Sequence, residues 1–158
     1  MTDLREVIKN RHSIREFKKT DVSNETIGEI IKLASLAPSA GNLQSYRVVV
    51  SREQIVDINS PVQLAVCADL TPNRYGRQAE WYAIQNAKIL AAYIQLVAVD
   101  MGLATVWVGA FKEGKVRNLL GLPDYLKPIA IIPIGYSDVV KGRGRRKSLE
   151  QIIWQKSQ

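Results

Sequence analysis

Residues 78–111 read QAEWYAIQNAKILAAYIQLVAVDMGLATVWVGAF, and the fold class turns on them. From Gln78 to about Met101 the pattern is helical and apolar on more than one side. Such a helix packs against two surfaces at once. Gly102 is a good helix stop, and residues 104–111 read as a strand. The most apolar stretch, 89–108, carries Gln95 and Asp100. Charge inside a bilayer is costly, so the stretch reads as a buried helix running into a strand, not as a membrane span.

Weaker patterns lie to either side. Residues 3–10 form a short helix with Leu4, Val7 and Ile8 as its apolar positions. Ser23 is a plausible N-cap, with Ile27, Ile30, Ile31, Ala34 and Ala37 on one face behind it. That helix should stop before Pro38, which disfavours helix in the residue ahead of it. Residues 46–51, 62–68 and 128–136 are rich in strand formers. Residues 115–120 read as a short helix. Ser148-Leu-Glu-Gln151 reads as a capping box opening a last helix through Trp154. Helices between strands give an α+β or α/β sandwich. No repeat or linker divides the chain, so residues 1–158 are expected to form one domain.

Composition narrows the function. Of 158 residues, 46% are apolar, enough for a core, and 23% are charged. Cys67 is the single cysteine, so an internal disulfide is excluded. It reads as a core residue and fits a reducing, cytoplasmic location. The first nine residues lack an apolar run and do not read as a signal peptide. The net charge of +7 allows nucleic acid, a membrane surface or a small anion as partner. The cluster Lys141, Arg143, Arg145, Arg146 and Lys147 has no interleaved aromatics, which argues against a nucleic-acid groove. There is no GxGxxG after a strand, no Walker loop and no GxSxG elbow. The lone histidine, His12, has basic neighbours and is a poor start for a metal site. No metal, nucleic-acid or membrane partner is expected. A carried cofactor would supply the chemistry these side chains lack.

Four segments hold polar chemistry. In Arg11-His12-Ser13-Ile14-Arg15-Glu16-Phe17, an extended chain puts Arg11, Ser13 and Arg15 on one side. Two guanidinium forks and a hydroxyl make a phosphate clamp; the same residues also read as a solvated basic turn. In Ala37-Pro38-Ser39-Ala40-Gly41-Asn42-Leu43-Gln44, small residues permit close approach of a flat ligand, and Asn42 and Gln44 offer amides to a ring edge. A helix-ending turn is the plainer reading. In Trp107-Val108-Gly109-Ala110-Phe111, the backbone N–H near Ala110 is free to reach a ligand, or the segment is a strand ending in a glycine bend. Arg143-Gly144-Arg145-Arg146-Lys147 precedes a helix start, where anions bind, or is an exposed basic loop.

In their order, these segments resemble the nitroreductase family of flavoproteins along nearly the whole chain. The opening is similar to that family's Arg-[Arg/His]-Ser-x-[Arg/Lys]-x-Phe, and the next segment to its Pro-Ser-x-x-Asn-x-Gln. Met101-Gly-Leu-Ala-Thr105 after a long helix, Leu119-Leu-Gly-Leu-Pro123, residues 128–135 and Arg146-Lys-Ser-Leu-Glu150 follow in register. The resemblance implies an α+β three-layer sandwich, its central, mostly antiparallel sheet flanked by helices. It also implies an intertwined homodimer with two FMN sites, each built from both chains. Arg11, His12 and Ser13 would hold the phosphate with Arg146 and Arg145. Arg15 would sit near the ribityl chain and the N1/C2-carbonyl side of the ring. Pro38, Ser39, Ala40, Asn42 and Gln44 would come onto the ring from the partner. Gly109 and Ala110 would face N5. NAD(P)H would donate hydride, and a nitroaromatic, quinone or activated alkene would accept it. No side chain need act as a general acid. The alternative is a non-catalytic flavin-binding protein for storage or sensing.

Three departures stand out. Ser45-Tyr46-Arg47 follows Gln44 where Pro then Trp or Arg is common in that family, and the usual Gln-Asp of the long helix is Gln85-Asn86. Only residues 52–61 separate two strands where typical members carry a longer helical insertion. Residues 71–81 are the candidate lid, and Arg74 and Tyr75 are expected to border the substrate face.

Overall fold

Side chains that alternate between two covered faces along two neighbouring strands build the core. A computed structural model describes residues 3–155. Strands β1 (Tyr46–Ser51), β2 (Val62–Asp69), β3 (Ala104–Thr105) and β4 (Leu126–Gly135) form one antiparallel sheet in the order β1-β2-β4-β3. β2 is buried along its whole length. Its Val62, Leu64, Val66 and Ala68 face one layer, together with Ile132 and Ile134 of β4. Its Ala65 and Cys67 face the other, with Ile131 of β4. This is the alternation a pleated strand imposes when both faces are covered.

The first layer is helical. Helices α1 (Leu4–Asn10), α2 (Asn24–Ala34) and α3 (Ala79–Asp100) pack there, α3 lying against β2, β4 and α2. Ala83, Ala87, Leu90, Ala91, Ile94 and Ala98 of α3 are buried, so it does meet two surfaces. The α2 start is as expected: the Thr26 N–H donates to Ser23 Oγ at 3.1 Å. Its end comes earlier, at Ala34, because the Ser35 hydroxyl donates to the Lys32 carbonyl (2.7 Å) and closes the last turn. No helix among the described residues is long and apolar enough to cross a membrane.

The second layer holds α4 (Glu113–Leu120) and residues 52–61. Helix α4 begins two residues before the expected start and ends on Gly121, whose φ of +60° suits a left-handed cap. Cys67 is fully buried, and burial pushes its thiol up to about 11. The last helix, α5 (Leu149–Ile152), stops short of the expected Trp154; the Ser148 N–H donates to Gln151 Oε1 at 3.0 Å, as a capping box requires.

The strand expected over 104–111 is cut to two residues, and Pro133 is the reason. Ala104 pairs with Gly135 and Thr105 with Ile134. The next exchange would join Val106 to Pro133. Val106 donates to the Pro133 carbonyl at 3.4 Å, but proline has no N–H to return. Pairing resumes only as an isolated bridge between Val108 and Ile131, whose two bonds are 2.9 and 3.0 Å. Pro128 of the same strand sits at a bulge: Val66 pairs with Ala130 but Cys67 with Pro128, leaving Ile129 over.

A single side chain organises residues 52–61. Gln63 Oε1 accepts from the Ile55 and Val56 N–H groups (2.9 and 3.0 Å). Its Nε2 donates to the Val56 and Ile58 carbonyls (3.2 and 2.7 Å). Both lone pairs and both amide hydrogens of a side chain only 1% exposed are thus satisfied. Gln63→Leu keeps the volume and strands four backbone groups. It should lower unfolding free energy by about 3 kcal/mol, read as a shifted urea midpoint at unchanged slope.

Candidate functional site

The two ends of the chain meet at a basic hollow. Lys9 lies in the last turn of α1, and Arg11 caps it, its N–H on the Val7 carbonyl at 3.0 Å. Beyond Arg11 the chain is extended, which is where Arg11 and His12 turn outward. Arg143, Gly144 and Arg146 arrive from the other end. Together with Ile8 these residues line a hollow of about 180 Å³. Residues 13–18 and 136–141 are stitched together and set this meeting. Lys18 N–H donates to the Tyr136 carbonyl (2.8 Å), Ser137 Oγ to the Glu16 carbonyl (2.7 Å) and Lys141 Nζ to the Ser13 carbonyl (3.0 Å). Lys18 also pairs with Asp138 at 2.6 Å.

The hollow carries positive charge without internal compensation. Among the described residues, Arg11, Arg143 and Arg146 have no ion-pair partner. The nearby carboxylate, Glu6, is engaged by Lys9 at 2.8 Å. Hydrogen bonding and charge from Lys9, with a further contribution from Arg143, hold Glu6 below the usual carboxylate range. Gathered guanidiniums repel one another unless an anion lies between them, and a phosphate matches their planar forks. His12 also borders a second hollow of about 340 Å³, lined by Asn10, Ile14, Leu103 and Lys141 among others.

The expected phosphate set is only partly reproduced. Arg11, His12 and Arg146 are brought together. Ser13 instead bridges to Thr105 beside β3, with buried Ile14 next to it donating its N–H to the Thr105 carbonyl at 2.9 Å. Arg15 and Arg145 are exposed and lie outside the hollow's lining. Arg143 takes a place that sequence reasoning did not assign to it. Its signal was membership of the basic run 143–147, read from sequence as either an anion site or an exposed loop.

Residues 38–44 form a tight, internally bonded turn. A 3-10 turn covers Ala40–Asn42, and Gly41, Asn42 and Gln44 all have left-handed backbone (φ +53°, +56° and +49°). Such φ values are uncommon outside glycine, and less expected of Gln44 than of Asn42, whose residue type is enriched there. Ser39 Oγ accepts the Gln44 N–H at 3.1 Å. Gln44 Nε2 donates to the Asn42 carbonyl and Oδ1, both at 3.2 Å, so its amide hydrogens are engaged within the turn. From α3, Asn86 Oδ1 accepts the Ala40 N–H at 2.9 Å. The buried Asn86 Nδ2 has no partner among the described residues.

Arg74 and Tyr75 lie on this same turn. Arg74 donates to the Gly41 carbonyl at 2.5 Å and sits 5.6 Å from the Tyr75 ring centre, and the Tyr75 ring packs tilted against Tyr82 with 4.8 Å between centres. A Cβ on Gly41 would collide with both Arg74 and Tyr75. Both contacts are with the ends of flexible side chains that can swing aside, so the firmer constraint on Gly41 is its φ of +53°, which strains any residue with a Cβ.

Gly109 presents the opposite case. It follows the Val108 bridge, is exposed, and a Cβ there would meet only Trp107, at 3.4 Å. Among the described residues the Gly109 and Ala110 N–H groups have no hydrogen-bond acceptor. Two backbone donors are thus left free at exposed positions. Ala110 and Phe111 also line a hollow of about 290 Å³ opposite Ile55 and Val56.

The chain matches the family model described as the nitroreductase family over residues 8–59 and 54–136. A Thermus thermophilus protein named NADH dehydrogenase is 30% identical, the match covering 90% of this chain and 91% of that protein. A solved FMN-dependent nitroreductase from Clostridium difficile R20291 is 29% identical with a TM-score of 0.74, covering 88% and 90% of the two chains. A nitroreductase family protein from Clostridium difficile 630 is 27% identical with a TM-score of 0.82 over 98% of each chain.

The two glycines should respond differently to the same change. Gly41→Ala should cost about 2 kcal/mol in urea unfolding, from strained φ and lost Arg74 packing. Gly109→Ala should stay within about 0.5 kcal/mol of the parent.

Proposed function

Because this chain belongs to the nitroreductase family, we propose that it is an FMN-dependent NAD(P)H oxidoreductase acting as a homodimer. One observation carries the reading: three guanidiniums from opposite ends of the chain surround a hollow with no ion-pair partner of their own among the described residues. That donor set fits the near-dianionic phosphate of FMN. FMN, when bound, supplies the two-electron chemistry that links NAD(P)H to an acceptor such as a nitroaromatic, quinone or activated alkene.

The chain's own residues would bind, orient and tune. Arg11, Arg143 and Arg146 would hold the phosphate, with His12 and Ser13 beside them and Arg145 at the margin. Arg15, exposed and without an ion-pair partner among the described residues, would set a cation at the N1/C2-carbonyl side. A fixed cation there favours the anionic reduced ring. The free N–H groups of Gly109 and Ala110 would orient the ring at N5, and the missing Cβ at Gly109 leaves room for a flat edge. The 38–44 turn of a second copy, through Pro38, Ser39, Ala40, Asn42 and Gln44, would cover the ring. Arg74 and Tyr75 ride on that turn and so would border the acceptor. Leu149, Ile152, Ile153 and Trp154 are all more than half exposed in the single chain. Such an apolar arm is what a second copy would cover.

The test is spectroscopic. The purified protein, supplied with FMN, should turn yellow, elute as a dimer and bleach anaerobically with NADH or NADPH. Yellow protein that resists both donors would make it a carrier rather than an enzyme. Arg143→Ala and Arg146→Ala should each weaken FMN binding by about tenfold or more, read by flavin fluorescence, with thermal stability kept.

A further inference from the structure

The hollow of about 290 Å³ between the two strands' connection and α4 has a defined construction. Buried Ile55 and Val116 and half-buried Val56 and Phe111 give it apolar walls. At its mouth stand Lys112 and Lys115, both exposed. Neither ammonium has an ion-pair partner among the described residues. The carboxylate between them in sequence, Glu113, is turned to Arg117 at 3.0 Å. Asp57 is the one carboxylate in the lining, so the two lysines leave the hollow net positive by one charge. The opposite wall would be a slack ten-residue connection, were it not fastened at Ile55, Val56 and Ile58 by Gln63.

We infer that this hollow is an acceptor subsite selecting small aromatic molecules that carry an anionic group, a carboxylate above all. The inference rests on the proposed flavin reading, because the hollow's link to the chemistry is Ala110, one of the two residues with a free N–H. The volume, at the low end for small-molecule sites, suits one substituted aromatic ring. The apolar walls take the ring and the ammoniums take the carboxylate. Both ammoniums are exposed, so the attraction is screened by solvent and modest, and it depends on the two acting together. In nitro reduction the acceptor gains a hydride from NAD(P)H and a proton from solvent. One N–O bond breaks, the oxygen leaves as water, and a nitroso group remains. The lysines take no part in that step and fix only where the anionic end lies.

The experiment compares 4-nitrobenzoate with 4-nitrobenzamide, which match in shape and differ in charge. The FMN-loaded protein should favour the benzoate by about five- to tenfold in kcat/KM, mainly through KM, and added salt should erode the preference. K112Q/K115Q should abolish the preference while leaving benzamide turnover and FMN content unchanged, and Asp57→Asn should increase it. Calorimetric binding of 4-nitrobenzoate, read without turnover, should weaken about five- to tenfold in the double variant. An unchanged benzoate-to-benzamide ratio in K112Q/K115Q overturns the inference. So does equal loss with both acceptors, loss of FMN in the double variant alone, or a lost preference for NADPH over NADH with benzoate selectivity intact, which would assign the lysines to the donor's 2′-phosphate. If the parent protein takes up no FMN, the flavin reading falls instead, and the calorimetric comparison still decides whether the hollow binds the anion.

Discussion

The pairing of β2 with β4 is the constraint on which the other parts depend. β2 is buried on both faces, so it must be covered by two layers, and no register slip is allowed without exchanging their contents. Helices α2 and α3 answer one face; α4 and the Gln63-held connection answer the other. Because β4 leaves the sheet at Gly135, residues 136–141 run beside residues 13–18, and the chain's ends meet. The charge cluster at Arg11, Arg143 and Arg146 is therefore a consequence of sheet topology. No local segment contains it.

That arrangement sets stability against ligand capture. Like charges held in one hollow raise the energy of the empty protein, and a dianion relieves it. The left-handed turn at residues 41–44 and the unpaired Asn86 Nδ2 are local costs of the same sort. The strained backbone is confined to that turn, whereas unmet buried polar atoms also occur elsewhere, at Gln95 Nε2 of α3 and Thr105 Oγ1 of β3. Proteins commonly hold such departures only where the surrounding core is strong enough to impose them.

How much of this was legible beforehand depended on range. The helix expected from 78 to about 101, the strands expected over 46–51 and 62–68 and the Ser23 cap follow from periodicity and local chemistry, and all appear within a residue of those bounds. The meeting of Arg11 with Arg146 was legible only through family resemblance, because 134 intervening residues hide it from any local rule. Arg143 was not singled out because, in sequence, one guanidinium in a basic run looks like the next. The Gln63 clamp escaped because a glutamine in an apolar strand carries no sign of its four partners. The strand over 104–111 was overestimated, since its partner's proline lies 27 residues beyond Val106 in the chain.

Pro133 has one more consequence. An outer strand with a full row of unsatisfied amides is a template on which another chain can stack. Here the margin beyond β4 is broken after two residues, and pairing returns only as the single Val108–Ile131 bridge. The protein is spared a sticky rim on that side.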